Sequence, residues 1–127
     1  MYTFEELKGI IAKLRDPEKG CPWDREQTFE SLKQYLDNES REVMEAVDHK
    51  DMENLCEELG DVLFQVMIYS RIGEEKGLFT IDDVIDGICR KMVYRHPHVF
   101  GDLKLDSAEE CNALWQELKK SEKGKKP

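Results

Sequence analysis

The stretch Glu57 to Tyr69, EELGDVLFQVMIY, decides the fold. Beyond Leu59 it is apolar nearly all round a helical wheel and shows no strand alternation, which marks a helix enclosed on most sides. Glu58, Asp61 and Gln65 make the only polar stripe through it. The same helical period runs outward to both ends of the 127-residue chain, so an all-α fold of about five helices is expected. Thr3, with Glu6 three residues on, caps a first helix carrying Phe4, Leu7, Ile10, Ile11 and Leu14 on one face. The prolines and glycine of DPEKGCPWD, residues 16–24, predict a loop. Thr28 is expected to cap a second helix striped by Phe29, Leu32, Leu36, Val43 and Val47. Asp51 should cap a third that stops near Gly77. Thr80 opens a fourth helix, with Ile81, Val84, Ile85, Ile88 and Met92 inward, ending at His96 before Pro97. Ser107 opens a fifth with Cys111, Leu114, Trp115 and Leu118 on one side. We expect one domain over 1–120 and a charged, frayed tail over 121–127.

With 28 Asp and Glu against 19 Lys and Arg, the net charge of −9 has the wrong sign for binding a nucleic-acid polymer. No apolar run approaches eighteen residues, and MYTFEELKGIIAKLR lacks the regions of a secretion signal, so a cytoplasmic, non-membrane location is expected. Cys21, Cys56, Cys89 and Cys111 form no C-x-x-C pair. Three of them fall in apolar helical patterns and read as reduced core residues.

The acidic residues of the second and third helices sit where solvated ones should not. Glu39 falls within the apolar face between Leu32 and Ala46, Glu42 lies at that face's edge, and Glu58 and Asp61 belong to the stripe above. Each pair is spaced i,i+3 and can converge on one point. Antiparallel packing about His49 to Asp51 lets the two pairs face each other. Two readings account for buried carboxylates here. One is a Mg²⁺ or Mn²⁺ site made of oxygen ligands; the other is a salt-bridge network with Arg41, Lys91 or Arg95. Lys91 and Arg95, spaced i,i+4, can grip a triphosphate or simply complement a helix C-terminus. His96 and His98 read as structural, and Trp23 as a core anchor.

Four stretches together carry a resemblance: LRDPEKGCPWDREQTFESL at 14–32, NESRE at 38–42, ELGDVLFQV at 58–66 and KMVYRHPHVFGD at 91–102. In this order they resemble the MazG-type nucleoside triphosphate pyrophosphohydrolases of the all-α NTP pyrophosphatase superfamily. The resemblance implies hydrolysis between the α and β phosphates, giving a monophosphate and pyrophosphate. It also implies a homo-oligomer, a dimer or tetramer. A helix apolar on nearly every side, needing more cover than four short helices give, agrees with that. The family's EExxE and ExxD motif implies that Glu39, Glu42, Glu58 and Asp61 hold Mg²⁺. Oxygen ligands also admit Mn²⁺ as a substitute, and Glu42 and Glu58 are the two candidates for the base. Matching positions imply nucleotide contact by Lys91, Arg95 and Trp115, and by the segment from Asn54 to Glu57. Asn38 stands where the motif has its first glutamate, and an amide is no base and a poor Mg²⁺ ligand. Two rivals follow: a module that binds nucleotide or protein without efficient hydrolysis, and a pyrophosphohydrolase narrowed to dUTP, dCTP or phosphoribosyl-ATP.

Overall fold

The computed structural model describes residues 1–123 and is built of α-helices. Seven are present among the described residues: α1 (Phe4–Leu14), α2 (Pro22–Glu26), α3 (Lys33–Asp48), α4 (Met52–Glu75), α5 (Ile81–Arg95), α6 (Pro97–Phe100) and α7 (Ala108–Lys123). The chain divides into two compact units, one over Met1–Ile81 and one from Asp82 onward.

In the first unit the local signals in the sequence set the helix ends. The Glu6 N–H donates to Thr3 Oγ1 and the Thr3 N–H to Glu6 Oε1, a reciprocal cap that satisfies two otherwise unpaired donors. Asp51 Oδ1 accepts from the Asn54 N–H at the start of α4. At the end of α4, Gly77 takes a φ of 69° and lets the Leu78 N–H reach back to the Gly73 carbonyl at 2.9 Å. Thr28 behaves differently from expectation. Its hydroxyl accepts from the Ser31 N–H while Ser31 Oγ accepts from the Thr28 N–H, closing a turn that precedes the helix, and α3 begins only at Lys33.

The 16–24 segment is likewise not all loop. Pro22 occupies the first position of α2, where its missing N–H costs nothing. Arg15 ties that segment down: its Nη1 donates to the carbonyls of Asp24 at 2.6 Å and Gln27 at 2.9 Å, and its Nε and Nη2 donate to Glu75. Trp23 is not a core anchor. It is 46% exposed and stands edge-on to the exposed Tyr35 ring, 5.3 Å between centroids.

Two apolar clusters hold the unit. Ile11, Met67 and Ile81 pack with Leu7, Leu14 and Phe64, and Leu32, Ile68 and Ile72 pack with Phe29, Phe64 and Tyr69. Burying aliphatic side chains of this size stabilises by about 1.5–3 kcal/mol each. Both clusters draw on the later part of α4, which packs on α3 and α1. The earlier part is less enclosed than its sequence predicts: Leu59 is 50% exposed, and Leu63 and Val66 are exposed too, as are Phe4 and Ile10 on α1 and Val47 on α3.

In the second unit, α5 ends at Arg95 as Pro97 requires, but Pro97 at once starts α6. The Ser107 hydroxyl accepts from the Glu110 N–H at the start of α7. Val84, Ile85 and Ile88, expected to face inward, are exposed. The four cysteines are free, with Cys56 and Cys89 exposed and the other two half-buried, so none is a core residue. The expected tail is helical through Lys123; its remainder, 124–127, lies outside the described residues. Among the described residues, no helix is long and apolar enough to cross a membrane.

Candidate metal centre

The α3–α4 hairpin turns through His49, Lys50 and Asp51, and Lys50 takes a left-handed φ of 55°. Lys50 stands midway in sequence between Glu42 and Glu58 and also between Glu39 and Asp61. Antiparallel helices therefore bring each of these pairs level across the interface. The result is a cluster in which one carboxylate oxygen from each of Glu39, Glu42, Glu58 and Asp61 lies within 4.8 Å of the others. Glu39 and Glu58 are half-buried, and Glu42 and Asp61 are exposed. Leu32 and Ala46, which flank Glu39 on the helical wheel, are fully buried, so the apolar face does carry this carboxylate.

The electrostatics of the cluster are those of like charges forced together. Glu58 is pushed up to about 7, first by sharing a hydrogen bond with Glu42, then by burial and by the charges of Glu42, Asp61 and Glu39. Glu39 is raised as well, by burial first and then by Glu42 and Asp61. Oε2 of Glu39 and Oε2 of Glu58 are buried and receive no hydrogen bond. A salt-bridge network does not relieve them. Arg41 pairs with Asp37 at 3.2 Å, Arg95 pairs with Glu122, and none of the four carboxylates makes an ion pair among the described residues.

Orphaned, buried carboxylate oxygens converging from two helices suit a hard divalent cation, which takes oxygen ligands and offsets their mutual repulsion. The residues present fit such an ion. A donor set of oxygens alone, without His or Cys, selects the Mg²⁺ and Mn²⁺ class over zinc or copper.

Other expected site residues are placed as follows. Asn38 is exposed on α3, while Asn54 is half-buried in the first turn of α4 and Glu57 is exposed. In the second unit, Arg95 is 6% exposed. Its Nε donates to Glu122 at 3.2 Å, and its guanidinium lies 4.8 Å from the centre of the Trp115 ring. His96 sits in the same group, its Nδ1 2.6 Å from the Met92 carbonyl oxygen and its ring 5.4 Å from that of Trp115. Lys91 is half-buried on α5. Nothing in the sequence signals that Arg95 is met by a carboxylate 27 residues away, because no local spacing encodes it. Gln65, the third member of the α4 polar stripe, proves to be buried with its Oε1 unpaired.

The model of the MazG nucleotide pyrophosphohydrolase domain matches residues 27–100. The chain is 52% identical over 123 residues to the nucleoside triphosphate pyrophosphohydrolase/pyrophosphatase MazG of Thermotoga maritima, covering 97% of this chain and 46% of that protein. It is 41% identical over 126 residues to the nucleoside triphosphate pyrophosphohydrolase of Escherichia coli K12, covering 99% of this chain and 48% of that protein. The chain thus spans about half the length of these two relatives. Among solved structures, the mazG-related protein from Thermotoga maritima superposes with a TM-score of 0.73 at 33% identity, covering 91% of this chain and 98% of that one. With the family model matching more than half of its length, this all-α chain belongs to the MazG nucleotide pyrophosphohydrolases, a family of metal-dependent hydrolases.

Proposed function

We propose that the protein hydrolyses nucleoside triphosphates at the α–β bond in a Mg²⁺-dependent reaction, releasing a nucleoside monophosphate and pyrophosphate, as a cytoplasmic housekeeping enzyme. The observation that carries this reading is the set of four facing carboxylates, two with buried oxygens that no donor reaches. The names of the relatives supply the substrate class.

In the mechanism, Glu39, Glu42, Glu58 and Asp61 would hold the cation, and the triphosphate would approach them. When bound, the cation would supply Lewis acidity at the phosphate oxygens and at a water. Water oxygen attacks the α-phosphorus, the bond from that phosphorus to the bridging oxygen breaks, and pyrophosphate leaves with the bond's electron pair. Glu42 or Glu58 takes the proton of the attacking water; both belong to a cluster in which protonation of one carboxylate relieves repulsion on the rest. Lys91 is the basic residue to offset charge on the phosphates, since among the described residues it has no ion-pair partner to give up, whereas Arg95 is paired with Glu122. Arg95 and Trp115 contribute as a stacked pair, although a phosphate reaching Arg95 must displace the Glu122 carboxylate. Asn54 and Glu57 approach the nucleotide from the first turns of α4. Asn38 contributes less than the family's glutamate would, because it is exposed and its neutral amide is a poor Mg²⁺ ligand and no base.

The exposed apolar side chains on α3, α4 and α5, Met44, Val47, Leu59, Leu63, Val66, Val84, Ile85 and Ile88, support a homo-oligomer. A dimer or tetramer by light scattering is the expected result, and a monomer at micromolar concentration contradicts it. The reaction itself is tested by incubating the protein with each canonical and deoxy triphosphate, with and without Mg²⁺, and resolving products by phosphorus NMR. Monophosphate and pyrophosphate formed only with metal are expected. Nucleotide-induced thermal stabilisation without turnover would favour a binding module, the one reading that Asn38 supports, and would make Asn38→Glu the variant to examine.

A further inference from the structure

We infer that Gln65 is a positioning residue of the metal centre, its amide carbonyl accepting a hydrogen bond from a water in the hydration shell of the cation held by the four carboxylates. This rests on the metal reading given above. Gln65 is 6% exposed on α4, and no donor reaches its buried Oε1. An amide carbonyl taken out of water without a partner costs stability, so a purely structural position here favours the aliphatic residues that fill the rest of this stretch.

Its place on the helix says which donor is missing. Gln65 lies one turn beyond Asp61 and two beyond Glu58, and at 100° per residue it falls within about 40° of both on one face. Ionised carboxylates accept hydrogen bonds and donate none, so the cluster cannot itself satisfy Oε1. Mg²⁺ bound through a few carboxylates keeps several waters, each a polarised O–H donor. A shell water on the α4 side supplies what the amide lacks. The amide in turn fixes the orientation of that water, as groups behind metal ligands commonly do. Gln65 touches neither metal nor phosphate in this arrangement, and its effect is on affinity and water orientation.

Magnesium titration of carbon-13-labelled wild-type protein, without nucleotide, reads both layers at once. The Glu58 and Asp61 carboxyl carbons report the ion, and the Gln65 carboxamide carbon reports its hydrogen bond. We expect all three to shift with one midpoint. Carboxyl shifts with a stationary Gln65 overturn this inference and leave the metal reading standing; no shift anywhere overturns both. Gln65→Met keeps the length of the side chain and removes the amide. Magnesium affinity about tenfold weaker by calorimetry is expected, with a metal-free melting temperature no lower than that of the wild type. Unchanged affinity in that variant contradicts the proposal, and if it does not fold the wild-type titration decides alone.

Discussion

Near its C-terminal end α4 carries Glu75, which Arg15 grips with two donors at 3.0 and 2.6 Å; nearer its start it carries Glu58, which has only other carboxylates for company. The first carboxyl is held below its ordinary value, chiefly by the Arg15 hydrogen bond, and the second is pushed up to about 7. Both lie on one helix, so the backbone is not the cause. Arg15 is 7% exposed and also fastens α2 through two carbonyls, so its ion pair is a finished structural joint. On the proposed reading, the carboxylate cluster is a joint that a divalent cation would complete. Repulsion of this kind, unrelieved by any basic side chain among the described residues, is what supports the proposed metal reading.

The comparison breaks most visibly if the two sites respond alike to loss of charge. Glu58→Gln or Asp61→Asn should lower turnover about 10³-fold or more, since the cation supplies several kcal/mol of transition-state stabilisation. The same variants should melt no lower than wild type without metal, because repulsion has been removed. Full activity in either variant would falsify the metal assignment. Arg15→Met should do the reverse, destabilising by about 2–3 kcal/mol in a denaturant titration because two part-buried carbonyl contacts and a partly exposed ion pair are lost together. A loss under about 0.5 kcal/mol would show that the joint is ornamental.

Acidity sharpens the contrast further. The pKa of Glu58 is raised from 4.5 to about 7, so its contribution to metal-free stability is complete below 4.5 and is lost as pH rises through 7. The depressed Glu75 contributes above its unfolded pKa and loses that contribution as pH falls through its lower folded value. The melting temperature of metal-free protein should therefore fall between pH 5 and pH 8, and Mg²⁺ should raise it more at pH 8 than at pH 5. A metal effect of equal size at both would contradict the electrostatic origin. The smallest effect expected is at the N-terminus, where Thr3→Ala removes a cap worth about 1 kcal/mol, without changing Mg²⁺ binding.

What was legible in the sequence follows from range. Caps at Thr3, Asp51, Gly77 and Ser107 and the meeting of Glu39 and Glu42 with Glu58 and Asp61 depend on spacings of a few residues and on one short turn, and the structure contains all of them. The Arg15 to Glu75 pair, 60 residues apart, leaves no such trace. Neither does the exposure of Trp23, because large aromatics read alike whether enclosed or resting on one neighbour. The helices α2 and α6 were hidden for a different reason: each begins with the proline that marked its segment as irregular. For Leu59, Leu63 and Val66 the sequence reports only that they are apolar, and what covers them depends on packing beyond their own helix.

The central claim is that the four facing carboxylates are balanced by a divalent cation. Its most direct measurement is a thermal melt at pH 8 across a Mn²⁺ titration, with Asp61→Asn run beside the wild type. The wild type should gain stability as the logarithm of metal concentration, reaching about 2.7 kcal/mol at a hundred times the dissociation constant, and the variant should stay nearly flat. Equal responses in the two proteins, or none in either, would contradict the claim.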